Sequence, residues 1–298
     1  MIYQLGLIAL LILIALIVSK RLNKKDTLVF EDDIISRQEL ENFWKSHLNK
    51  SQLQEIVNSR DLDFAVVVGD YRYRANGYYT TNGPSMVLRK IVSEIPQMDK
   101  LGLPPAVMDA IKHKNGLVLV TGQTGSGKST SLAAMIDQIN SNRAENIITI
   151  EDPIEFVHPS KKSIISQREV GKDTGSFARA LKSALRQDPD VILVGEIRDQ
   201  ETAHIAVQNA LVGTLLLSTL HSNSAIGTIQ RLVSLGLPKF WISSTLTAVL
   251  GQRLSRKICP KCKVKDKPSR TMLKLLQLPA SKKYYKGKGC DHCLNTGY

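Results

Sequence analysis

Residues 122–129 read Gly-Gln-Thr-Gly-Ser-Gly-Lys-Ser, with Thr130 next, and fit G-x-x-x-x-G-K-[ST] at every fixed position. Glycines at Gly122, Gly125 and Gly127 let backbone N–H groups turn inward around phosphate oxygens without side-chain clashes. Gln123, Thr124 and Ser126 complete the loop, and the helix expected after it offers its positive N-terminal end to the same anion. Lys128 would bridge the β and γ phosphates of a nucleoside triphosphate, and the Ser129 hydroxyl would ligate Mg²⁺. The predicted cofactors are therefore ATP and Mg²⁺.

Two carboxylate groups bear on hydrolysis. Glu151, Asp152 and Glu155 follow one apolar run, and Glu196 follows another. Open α/β sheets bind ligands beyond the C-terminal ends of their strands, so both groups would reach the P-loop edge. One carboxylate would orient or deprotonate an attacking water while another holds hydrated Mg²⁺. By spacing alone, the same side chains also fit solvated loop positions.

A second chemistry lies near the C-terminus. Cys259 and Cys262 form one close pair, Cys290 and Cys293 another, with 27 residues between the pairs. This spacing suits a tetrahedral four-cysteine zinc site, and in a cytosolic protein it argues against structural disulfides. Four thiolates carry more charge than zinc neutralises, so basic surroundings would help. His292 lies inside the second pair as a substitute ligand, not an expected one.

These groups need elements to position them. Apolar runs of strand length at 117–121, 147–150, 191–194 and 215–219 alternate with helical patterning at 129–139, 177–186 and 201–211. Such alternation predicts an α/β core with a mainly parallel sheet covered on both faces, over residues 98–255. Before it, helical spacing over 37–57 and strands at 64–68 and 71–75, split by a Gly69-Asp70 turn, give a small α+β domain over 37–97. Pro96, Pro104 and Pro105 punctuate the connector. Residues 256–298 form the tetracysteine element.

Residues 1–18 are apolar except for Gln4, and Ser19, Lys20, Arg21, Lys24 and Lys25 follow. Eighteen helical residues reach about 27 Å, near the roughly 30 Å hydrocarbon core. No basic residue precedes the run, as a cleaved signal peptide would require. A single transmembrane anchor at 1–19 is predicted, with a juxtamembrane linker at 20–36 and the body in the cytosol by the positive-inside rule. A buried core helix is the alternative.

The formal net charge is +13, and the stretch 253–288 holds thirteen Lys/Arg against Asp266 alone, which is +12 of it. The basic character therefore describes one surface. Its arm (Lys257, Lys261, Lys263, Lys265, Lys267, Lys282 and Lys283) suits nucleic acid, anionic lipid or an acidic partner, or is plain solvated surface. Aromatic stacking is confined to Tyr284 and Tyr285, so no nucleic acid is expected; membrane lipid or a membrane-platform protein is favoured.

From about Asp61 onward the chain resembles the secretion ATPases that drive type IV pili, type II secretion and DNA-uptake pseudopili. The resemblance rests on 115–130 (Walker A), 148–158 (aspartate box), 167–171 (Gln-Arg-Glu-Val-Gly), 188–199 (Walker B) and 218–222 (histidine box). It implies a RecA-like P-loop core working as a homo-hexamer with an inner-membrane platform protein, on the cytoplasmic face of the bacterial inner membrane. It implies Glu155 as catalytic base, Glu196 near the Mg²⁺ shell and His221 as sensor of the γ-phosphate. Arg72, Arg74 and Arg89 match the small domain's arginines, which reach the phosphates. The tetracysteine element points to the extension and secretion members, not the retraction ones. Departures are Thr214 at the first histidine of the histidine box, Asn82 where an arginine is expected, and a truncated small domain. The expected function is an ATP-hydrolysing motor for pilin or pseudopilin assembly, secretion or DNA uptake. The rival is a membrane-tethered, nucleotide-binding paralogue that regulates such a motor, and a nucleic-acid translocase is a third class.

Overall fold

The computed structural model describes residues 35–298, apart from 70, 92 and 93. The predicted anchor at 1–19 lies outside the described residues, as does most of the predicted linker at 20–36. Among the described residues no helix is long and apolar enough to cross a membrane. Ser36, assigned to the linker, instead caps the first helix in a reciprocal capping box with Glu39.

The helical spacing over 37–57 resolves into two helices, α1 (Arg37–His47) and α2 (Lys50–Ser59). Asn49 separates them: its side chain accepts from the Gln52 amide while Gln52 returns the bond, which restarts the helix. Strands β1 (Asp61–Val68), β2 (Tyr71–Thr80) and β3 (Gly83–Lys90) form an antiparallel sheet in that order. Phe43, Trp44, Ile56, Val66 and Tyr73 bury one face of this sheet under the helices. A Cβ at Gly77 would come within 2.9 Å of Ile56 Cδ1 and 3.1 Å of the Trp44 ring, so the helices approach only over glycine. β3 was not legible in the sequence pattern.

The core continues through a short 3₁₀ turn (Met98–Leu101), α3 (Pro105–Ala110), β4 (Gly116–Thr121), α4 (Lys128–Asn142), β5 (Asn146–Glu151) and β6 (Ile164–Glu169). It is completed by α5 (Phe177–Ala184), β7 (Val191–Val194), α6 (Gln200–Leu211), β8 (Leu215–Leu220), α7 (Ala225–Ser234), α8 (Lys239–Thr245) and β9 (Leu246–Gly251). The sheet order is β6-β5-β7-β8-β4-β9, and every pairing is parallel. Alternate residues serve opposite faces. Leu117, Leu119, Ile192, Val194 and Leu216 pack with α5 and α6, while Val118, Val120, Val191, Leu193 and Leu217 pack with α4. Two buried faces explain why the central strands read as unbroken apolar runs. The edge strands β6 and β9, more polar or less buried, were not expected.

Residues Arg253–Tyr298 form a separate compact unit. It holds the antiparallel pair β10 (Lys263–Asp266) and β11 (Tyr284–Gly287) and a short helix α9 (Arg270–Leu275).

Candidate functional site

The P-loop spans the gap between β4 and α4, as the strand-loop-helix pattern predicts. Gly125 and Gly127 adopt φ of 76° and 87°, a region that costs glycine little. At Gly122 a Cβ would lie 2.3 Å from the Gln252 carbonyl oxygen and 2.6 Å from Ser126 Oγ, so no other residue fits. Lys128 Nζ folds back over the loop and donates to the carbonyls of Gly122 (3.0 Å) and Gln123 (3.1 Å). Burial lowers its pKa, against the attraction of Glu196 and Glu155. Those two carboxylates are thus the charges that Lys128 feels most.

Thr121 Oγ1 donates to the carbonyls of Leu220 (2.8 Å) and Ser222 (2.9 Å), locking the end of β4 to the end of β8. This brings His221 to the P-loop. A cleft of about 410 Å³ is lined by Gly122, Gln123, Thr124, His221, Ser222 and Asn223. Glu196 follows β7 and pairs through Oε1 with Arg198, while His221 Nε2 stands 3.5 Å from its Oε2. That Oε2 is buried and accepts no hydrogen bond, so it suits the metal shell of a bound nucleotide. Ser129 lies in the first turn of α4, and Thr130 follows.

The aspartate box divides. Glu155 is half-buried and within electrostatic reach of Lys128. Asp152 is exposed. Glu151 accepts from Thr149 Oγ1 (2.7 Å) and Gln167 Nε2 (3.2 Å). Desolvation raises its pKa against those bonds, so in this structure its carboxyl braces β5 and β6 rather than lying open to a nucleotide.

The arginines differ from one another. Arg72, on β2, pairs with Glu169 at the end of β6, tying the small domain to the core. Arg74 stands 3.5 Å from Asp63, and Arg89 is exposed opposite Arg74 in the β2–β3 register. Asn82 occupies the exposed β2–β3 turn, where its amide donates to Thr80 Oγ1 (3.2 Å). Thr214 immediately precedes β8 and bonds Pro189, at the N-terminal edge of the sheet. The six residues of β8 carry the chain about 20 Å from there to the P-loop edge, so Thr214 and His221 belong to opposite ends.

In the C-terminal unit the four Sγ atoms lie within 4.8 Å of one another and none is in a disulfide. Separations are 4.0 Å for Cys259–Cys290, 3.8 Å for Cys262–Cys293 and 3.7 Å for Cys290–Cys293. A tetrahedron with zinc–sulfur bonds of about 2.3 Å has edges of about 3.8 Å, so the donor set fits zinc. The amides of Cys290 and Gly297 both donate to Cys293 Sγ at 3.3 Å. Burial opposes ionisation of Cys293, but those donors together with the Cys290 and Cys262 thiols draw its pKa down. His292 is exposed and stands outside the quartet.

The model of the family described as "Type II/IV secretion system protein" matches residues 34–298. The chain belongs to this family. The chain is 44% identical over 218 residues to a type IV pilus retraction ATPase of Pseudomonas aeruginosa, covering 71% of this chain and 63% of that protein. It is also 44% identical over 223 residues to a type II secretion system protein E of Klebsiella pneumoniae, covering 72% of this chain and 44% of that protein. A crystal structure of the pilus retraction motor PilT with bound ADP superposes with a TM-score of 0.71 at 45% identity, covering 75% of this chain and 67% of that one. The family assignment and the RecA-like α/β core expected from the motifs both hold. The chain spans less than two thirds of either named relative. In this secretion-family protein, Gln252 at the nucleotide edge escaped the motif reading, and Glu169 was read only as part of the 167–171 segment, with no role. Gln252 accepts from Ser131 at 2.9 Å behind the P-loop, and Glu169 receives Arg72.

Proposed function

We propose that this chain hydrolyses ATP with Mg²⁺ as the motor of a pilus, pseudopilus or secretion system, at the cytoplasmic face of a bacterial inner membrane. The observation that carries this reading is the meeting of Lys128, Glu155, Glu196 and His221 at one edge of the parallel sheet. The triphosphate would take the P-loop amides, and Lys128 would exchange the Gly122 and Gln123 carbonyls for phosphate oxygens. Glu155 would align or deprotonate the attacking water, and His221 would sense the γ-phosphate beside Glu196. Mg²⁺ would sit on Ser129 and the phosphates, with Glu196 Oε2 accepting from its shell, and would neutralise developing charge. Asp152 is open to the same edge, whereas Glu151 would contribute only after leaving Thr149 and Gln167.

Subunit rotation within a homo-hexamer would turn hydrolysis into work, with Arg72, Arg74 and Arg89 supplying charge to the phosphates. The zinc-compatible quartet favours the assembly or secretion side over retraction. Identity alone does not separate these, being 44% to both kinds of relative. The C-terminal unit suits a platform protein or anionic lipid, since Lys274 stands among exposed Met272, Leu275 and Leu276. The rival reading, a non-catalytic paralogue, leans on Thr214, Asn82 and the truncated small domain; the seat of Thr214 at the opposite edge of the sheet weakens the first of these alone.

Steady-state ATPase activity of the detergent-purified chain, with light scattering on the same sample, tests the proposal. Lys128→Ala and Glu196→Gln are each expected to lose about a hundred-fold or more in turnover. Tight ATP binding by a wild-type monomer without turnover would sink the motor and leave the tethered paralogue.

A further inference from the structure

We propose that Glu169 is a positioning residue of the hydrolytic site: one carboxylate holds the backbone beside Glu155 and couples it to Arg72 of the small domain. This rests on the hydrolytic reading above. Glu169 ends the edge strand β6 and is 6% exposed. Its Oε2 accepts from the Ile154 amide at 3.1 Å, one residue before Glu155, and also from Arg72 Nη2. Its own backbone is clamped. The Glu169 amide donates to Asp173 Oδ2 (2.9 Å), and its carbonyl accepts from the Asp173 amide (2.8 Å). The register β5–β6 sets it beside Glu151, at the start of the aspartate box.

The plain alternative is a structural ion pair. Buried pairs add little net stability over apolar packing, so burial alone does not explain the choice. A pair kept only for structure would also satisfy both partners. Here Arg72 Nε is buried and bonds nothing, a costly omission for a guanidinium. Glu169 is therefore the one acceptor that this guanidinium finds among the described residues. Arg72 lies near the start of the central strand of the small domain's sheet, where its carbonyl accepts from Ile91 and its register partner is Val67. Any shift of that sheet relative to the core pulls on Glu169, and through it on the amide that sets where Glu155 points.

The test uses the full chain and ATP turnover beside fluorescent-ADP titration. Glu169→Gln keeps an oxygen for the Ile154 amide and removes the charge facing Arg72. It is expected to lower kcat between about ten- and a hundred-fold, through misplacement of the reacting groups. KM for ATP and the Kd for ADP should stay within about two-fold, since ground-state binding is untouched. Combining Glu169→Gln with Arg72→Gln should cost no more than the worse single change, because the two act as one unit. Glu169→Ala should be at least as slow, and Glu169→Gln carries the test if that variant does not fold. A kcat within about two-fold of wild type, or a parallel loss of thermal midpoint and ADP affinity, overturns the proposal. Multiplicative effects of the two changes overturn it as well. Wild-type chain without turnover overturns the hydrolytic reading and this one with it, whereas active wild type with unaffected Glu169→Gln overturns this one alone.

Discussion

In the core, Leu117, Ile192, Val194, Leu216 and Leu217 are almost wholly removed from water on the two faces of one sheet. In the 46-residue unit Arg253–Tyr298 the only buried side chains are those of Cys259 and Cys293. Two means of stabilisation therefore sit in one chain. The core gathers enough apolar surface to offset its conformational entropy, whereas so small a unit with so little burial needs a cross-link. The basic surface fits the same picture, because a unit with no apolar centre can spread its lysines freely. It also leaves Leu275 80% exposed beside them.

The largest expected effect breaks the comparison at the cysteine quartet. Structural zinc in small domains is worth about 10–16 kcal/mol, so chelation or Cys293→Ser should unfold the C-terminal unit. Trypsin should then cut rapidly within 253–288, where thirteen Lys/Arg lie, while ADP binding by the core persists. A stripped unit that stays resistant would mean its fold does not depend on the quartet. The next effect belongs to the core. Leu217→Ala, at 0% exposure, should cost about 2–5 kcal/mol in urea unfolding. Leu275→Ala in the other unit should stay within about 0.5 kcal/mol. Equal costs would erase the distinction.

The smallest effect sharpens it with pH. His158 is buried in the core with Nδ1 unpartnered, and burial disfavours its imidazolium, drawing its pKa down to about 4. An unfolded histidine titrates near 6.5, so between those values the unfolded chain holds more protons. Stability is full above about pH 6.5 and falls as pH drops toward 4, by up to about 3 kcal/mol. Denaturant unfolding at pH 7 and pH 5, wild type against His158→Gln, measures it; equal pH slopes would show that this histidine contributes nothing to acid sensitivity.

The P-loop was legible because phosphate binding is a local chemistry: three closely spaced glycines, one lysine and one hydroxyl suffice within nine residues. The central strands were legible because burial on both faces leaves continuous apolar text. β6 and β9 were not, since an edge strand needs only one paired side, and β9 follows α8 with no Gly or Pro between them. The break at Asn49 carried a readable signal, Asn49 with Gln52 three residues on, which the apolar spacing over 37–57 concealed. The division between units falls at Gln252, three residues before the expected boundary of 255. Glu169 stood in the 167–171 segment, but nothing in that segment gave it a role. Its partner lies 97 residues away, and only the folded chain brings them together.

Gln252 ends the core, and its backbone and side chain both press on the nucleotide loop. Its amide donates to the Thr121 carbonyl at 2.8 Å, its side chain accepts from Ser131 in α4, and its carbonyl crowds Gly122. The next residue, Arg253, opens the C-terminal unit. The rope by which that unit is moored is therefore spliced into the P-loop's own frame. A pull on Arg253 would therefore reach the frame of the P-loop through one residue.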